Sequence, residues 1–313
     1  MITAVAGPIT QRAELSILKA LAYFDIFQYP LSEGEMHHFL DCHLGKDELK
    51  LAIERLESHG LIFKFDGFYC LWNDPGIIKK RVAGNLRAHK LMPRAGRIAS
   101  LLYRFPFVKA VAISGSLSKN YADAKADIDF FIITNLNRLW VARTFLHLFK
   151  KLTYLAGRQH YYCMNYFVDE QAMAIAEQNI YSATEVVTLL PVAGIDVIND
   201  FFNANRWTEE WLPAYKPRLE VASSDRQFAV KSFLQRVLTS KMGDKLDDLL
   251  FHWTTRRWRK KEDRGLRNIK GRKMNLVTGK HFSKSDPGAF QEKIVRLYDI
   301  KVDQLTSRLA ELC

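Results

Sequence analysis

Between residues 114 and 134 the chain reads SGSLSKNYADAKADIDFFIIT. Asp127 and Asp129 flank a single isoleucine, and Gly115–Ser116 follows the apolar run VKAVAIS at 108–114. Side chains at i and i+2 of a strand share a face, with Cα atoms about 6.5–7 Å apart. A strand over 126–134 therefore sets both acids on one side and packs Ile128 and Phe130 on the other. Two carboxylates that close repel each other unless a cation sits between them, and hard oxygen ligands of this kind favour Mg²⁺ and can clamp a phosphoryl group. Gly115 lets the backbone approach a ligand with no Cβ in the way. Ser116 offers a hydroxyl and an N–H at a helix start, where anions are favoured. One end of the motif suits phosphate and the other metal, with ten residues between Ser116 and Asp127. Taken singly, a Gly-Ser pair is only a turn and an Asp-x-Asp pair only a solvated strand edge; their order and spacing make the pattern specific.

An apolar strand, Gly-Ser, then Asp–apolar–Asp–apolar resembles the DNA polymerase β-type nucleotidyltransferase superfamily, and within it the small bacterial minimal and aminoglycoside-type nucleotidyltransferases. The resemblance covers residues 108–170. It implies transfer of a nucleoside monophosphate from a nucleoside triphosphate, ATP first among them, to an acceptor hydroxyl, with Mg²⁺ as cofactor. It implies that Gly115 and Ser116 hold the triphosphate and that Asp127 and Asp129 hold metal. Lys119, three residues after Ser116, reads either as a further phosphate contact or as part of a solvated helix start. The wider layout, with LAYFDIFQYPLS, GSLS, DIDFFIIT, RLWVAR, CMNYFVDE and ANRW, is similar to a group of bacterial proteins that join a winged helix to such a domain. The superfamily usually carries a third carboxylate on a neighbouring strand. In YYCMNYFVDE (161–170) the central polar position is Asn165, which cannot accept a proton, and Asp169 lies four residues on. Both join Asp127 and Asp129 as catalytic candidates. Some aminoglycoside-type relatives place a helper glutamate on their helical part, and by that resemblance Glu185, an acid in the apolar stretch YSATEVVTLL, is a candidate substitute base. Arg138 and Arg143 read as surface arginines or phosphate contacts.

The elements that must position these residues follow from periodicity. ELSILKALAYFDIF and DELKLAIERLESHG space their apolar residues as helices, and Ser32-Glu33-Gly34-Glu35 has capping-box form. LIFKFDGFYCLW reads as a hairpin around Asp66-Gly67. Three helices and a hairpin are the order of a winged helix. A connecting helix over 75–105 ends at Pro106, and strands at 108–114, 126–134 and 161–170 alternate with a helix over 138–155. After residue 175 the chain reads as helical, with its last helix opening at Ser285-Asp286-Pro287. The expected class is α+β: a winged helix (1–80), a nucleotidyltransferase-type mixed sheet core (81–175) and a C-terminal helical region (176–313).

The chain has 313 residues, 46 Lys and Arg against 34 Asp and Glu, and a net charge of +12. That charge is uneven. Residues 1–80 carry 8 basic and 11 acidic residues, whereas 254–284 carry 12 basic and 2 acidic. The acidic winged helix is a poor DNA reader, since such a surface needs cations for phosphates. The basic segment, with Trp253 and Trp258 at its start, suits RNA or another polyanion. Apolar runs are too short for a membrane span. Cys42, Cys70, Cys163 and Cys313 show no ligand spacing, which fits a reducing cytoplasm. Three functions fit: a Mg²⁺-dependent nucleotidyltransferase, a nucleotide-sensing regulator without turnover, and an antitoxin-like partner protein with a degenerate site.

Overall fold

A computed structural model describes residues 8–124, 126–154, 161–218, 229–238, 240–267, 271 and 273–312. Helix α1 (Pro8–Asp25) is followed by β1 (Leu31–Ser32), α2 (Glu33–His38), α3 (Lys46–Ser58), β2 (Phe63–Phe65) and β3 (Phe68–Cys70). The Ser32 capping box forms with Glu35 as its partner. Asp66 and Gly67 both take positive φ, 48° and 81°, as a two-residue hairpin turn requires. The three strands make a small sheet in the order β1-β3-β2. Buried Leu18, Leu21, Met36, Ile53 and Leu56 fill the space beneath it.

The long helix α4 (Gly76–Tyr103) leads to β4 (Val108–Ser114), the one-turn α5 (Gly115–Ser118), β5 (Asp129–Thr134), α6 (Leu139–Tyr154) and β6 (Cys163–Asp169). There follow α7 (Ile180–Val187), β7 (Leu190–Ala193), α8 (Ile195–Ala204), α9 (Thr208–Trp211), α10 (Ala229–Leu238) and α11 (Lys241–Asp263). The hairpin β8 (Leu276–Thr278) and β9 (Phe282–Ser285) and helix α12 (Phe290–Ala310) complete the described chain. The main sheet runs β7-β4-β5-β6-β9-β8. It is mixed: β4 and β5 are antiparallel, β5 and β6 parallel. Phe130, Ile132, Trp140 and Phe167 anchor one core on the sheet, and Phe131, Ile133, Val168 and Phe201 a second on its other face. The molecule is thus an α+β fold.

Two expectations fail here. Residues 176–313 are not simply helical, because β7 extends the sheet on one edge and β9 and β8 on the other. Leu190–Ala193 was hidden by the apolar run that α7 and β7 share, and the basic residues around β8 and β9 mask a short alternation. The last helix opens at Phe290, not at Ser285-Asp286-Pro287; Ser285 ends β9, and Asp286 Oδ1 accepts from Gln291 N at 3.3 Å. Ile180, Ala183, Leu212, Ile294 and Leu305 pack in one core with α1 and α3.

Gly84 on α4 has a structural reason. A Cβ there would lie 2.1 Å from the Tyr121 ring, which follows α5. Gly84→Ala should therefore cost about 1–3 kcal/mol through overpacking, read as a lowered denaturant midpoint; an unchanged midpoint would contradict this packing. Asp247 on α11 is fully buried and accepts from Val141 N at 2.9 Å, and burial pushes its carboxyl up to about 6. The unfolded chain loses that proton near pH 4, so it binds fewer protons between pH about 4 and 6, and stability falls as pH rises through that window. Asp247→Asn should remove this slope in melts across the window while keeping the bond to Val141 N.

Candidate functional site

The antiparallel pairing of β4 with β5 sets Ser114 opposite Asp129. The residue that ends one strand thus faces the residue that starts the other, and the Gly115–Ser116 turn falls beside the acid. Gly115 has φ +69°, and a Cβ on it would lie 2.5 Å from Asp129 Oδ2. Only glycine allows this turn and this carboxylate to be so close. Ser116 is exposed at the surface. Asp127 lies two residues before Asp129, in the approach to β5 and not within it. It is half-buried, as is Asp129.

Asn165 comes to the same place through a bulge. Phe130 pairs with Met164 and Phe131 with Tyr166, so Asn165 is an extra residue in β6. Bulges of this kind re-aim a side chain. Its Nδ2 donates to Asp129 Oδ1 at 2.5 Å, and its Oδ1 accepts from Cys163 Sγ at 3.1 Å. Burial first, and then the charge of Asp129, push the Cys163 thiol up to about 12, so it stays protonated as a donor.

Lys119 Nζ donates to Gly115 O at 3.1 Å and pairs with Glu185 Oε1 at 2.7 Å. Helix α7 thereby brings a carboxylate to the turn from outside the sheet. The N-terminal unit holds the same segment: Tyr29 Oη donates to Lys119 O at 2.6 Å, and the Tyr29 and Tyr121 rings meet edge-on at 5.6 Å. The buried Arg81 guanidinium lies 3.6 Å from the Tyr29 ring centroid and pairs with Glu35 at 2.5 Å. Burial lowers Arg81 to about 10. Nothing in the spacing of Tyr29, Glu35 and Arg81 marks them in the sequence; only the folded contacts join them to the turn.

Gly115, Lys119, Asp129 and Asn165 are thus together, with Ser116 and Asp127 as their chain neighbours. Asp169 is not among them. It pairs with Thr134 at the far end of β6, six residues from Cys163 and so about 20 Å along the strand. It is buried and fully used there, accepting from Asn137 N and Gln171 N at 3.0 Å each, with His281 Nδ1 at 2.8 Å. Arg138 and Arg143 are not surface residues. Arg138 is buried and donates to Leu238 O at 2.8 Å and to Asp244, while the buried Arg143 guanidinium lies 5.4 Å from the Trp140 ring centroid. Two cavities of about 380 and 390 Å³ lie elsewhere, one between α1, α7, α9 and α12 and one beside β4 and α8.

Asn165→Asp would replace the amide donor to Asp129 with a like charge. We expect a melting temperature below the parent's in EDTA and a larger rise on adding millimolar Mg²⁺ than the parent shows. Equal stability of the two proteins in EDTA would contradict the contact. Compared with protein-family models, with curated proteins and with solved structures, the chain matches none.

Proposed function

We propose that the chain binds a nucleoside triphosphate, ATP first among them, with Mg²⁺ between the Gly115–Ser116 turn and Asp127 and Asp129, and transfers its nucleoside monophosphate to an acceptor hydroxyl. The observation that carries this reading is the contact of bare Gly115 with the Asp129 carboxylate. It sets the bare backbone of the turn directly beside a hard oxygen donor. Two carboxylates fit Mg²⁺ that takes its remaining ligands from phosphate and water. They do not make a closed protein site by themselves. Bound there, Mg²⁺ would supply positive charge against the phosphates. Lys119 adds a second cation at the turn. Asn165 cannot take a proton from an acceptor, so that role falls to Glu185, the carboxylate paired with Lys119.

The order α1-β1-α2-α3-β2-β3 with its three-stranded sheet supports reading the N-terminal unit as a winged helix. Its bonds to the turn through Tyr29 favour a structural part for it over DNA reading.

Asn165 also favours a second reading, in which the site binds nucleotide without turnover. Its amide occupies an oxygen of Asp129 and replaces the usual third acid. Incubation with labelled ATP, GTP, CTP and UTP, Mg²⁺ and cell extract separates the two. The transfer reading expects a labelled acceptor with at least one triphosphate. Binding of triphosphate with no labelled product would leave the sensing reading. Asp127→Ala should abolish both Mg²⁺-dependent binding and labelling while changing stability by no more than about 0.5 kcal/mol. Undiminished binding in that variant would overturn both readings.

A further inference from the structure

Helices α6 and α11 run in the same direction. Val141 N near the start of α6 meets Asp247, and the Trp140 ring meets that of Phe251 at 5.1 Å. Ten residues further along each helix, their ends bring cations together. Lys151 and Arg257 both act on Lys261, which is held below its ordinary range first by burial and then by these two charges. Lys150 and Lys151 likewise add to the burial that lowers His147. Among the described residues no ion pair is formed with Lys150, Lys151, Arg257 or Lys261. Such a cluster is stable only with solvent or a polyanion over it.

Indoles are interleaved with these cations. Trp253 is 56 % exposed, with the Arg257 guanidinium 5.5 Å from its ring centroid, and Lys261 Nζ lies 4.8 Å from that of Trp258. Rings among cations are what a single strand of nucleotides uses, since bases stack on the faces and phosphates meet the charges. Exposed Leu148 and Leu152 would suit an anionic lipid surface too. The cation–indole pairs favour the polynucleotide.

We propose that the paired ends of α6 and α11 form a docking surface for a single-stranded polynucleotide, with Lys150, Lys151, Arg257 and Lys261 meeting phosphates and Trp253 and Trp258 offering rings to bases. The surface does not depend on the transfer reaction.

The test is fluorescence anisotropy of the full chain with a labelled oligouridylate RNA over a salt series. Each phosphate contact on a single strand contributes about −0.7 to the slope of log K against log salt. Lys151→Ser, Arg257→Ser and Lys261→Ser combined should therefore flatten the slope by about 2. Trp253→Ser should keep the slope and weaken binding about tenfold at fixed salt. Both variants replace partly or fully exposed side chains, and matching melts with the parent check their folding. No binding by the parent at ~50 mM salt, or an unchanged slope in the triple variant, would overturn the proposal. So would equal affinity for duplex of the same length, or stronger binding to vesicles of anionic phospholipid than to RNA.

Discussion

The candidate site rests on one close approach, the bare Cα of Gly115 against the Asp129 carboxylate. The antiparallel register of β4 and β5 creates it by setting Ser114 opposite Asp129. The positive φ of Gly115 then turns the chain out of the strand at once. A side chain at this position would meet an oxygen and strain the backbone together, so the two halves of the motif would separate. Sheet register, and not the turn alone, is what makes the glycine turn and the Asp129 carboxylate neighbours.

The rest of the fold steadies this contact. The bulge at Asn165 brings an amide to Asp129, and α7 brings Glu185 to Lys119. The N-terminal unit bonds the backbone of Lys119 through Tyr29, whose ring is covered by the buried Arg81. Gly84 on α4 leaves room for Tyr121 just after the turn. A unit that would be read as an independent module is therefore built into the support of the site, and its core continues into α7 and α12.

Much of this was legible in the sequence. Local signals with a single physical cause came through: the Ser32 capping box, the Asp66-Gly67 turn and the apolar run of β4; the expected strand over 126–134 starts only at Asp129, so Asp127 lies outside it. Signals that depend on pairing did not. The strand β7 lies inside an apolar stretch in which Val186 and Val192 look alike until β4 offers Leu190–Ala193 an edge. Asn165 and Asp169 differ by four positions in the sequence. The bulge and the strand length send one to Asp129 and the other to His281. Arg138 and Arg143 read as surface cations because no periodicity shows that the fold buries them.

The most direct test of the central claim is a calorimetric titration of ATP into the parent and Gly115→Ala, each with Mg²⁺ and with EDTA. The account predicts that the parent binds ATP only with Mg²⁺ and that the added methyl weakens this binding by at least roughly tenfold, about 1.4 kcal/mol. Binding that is indifferent to Mg²⁺, or that survives the substitution unchanged, would contradict it.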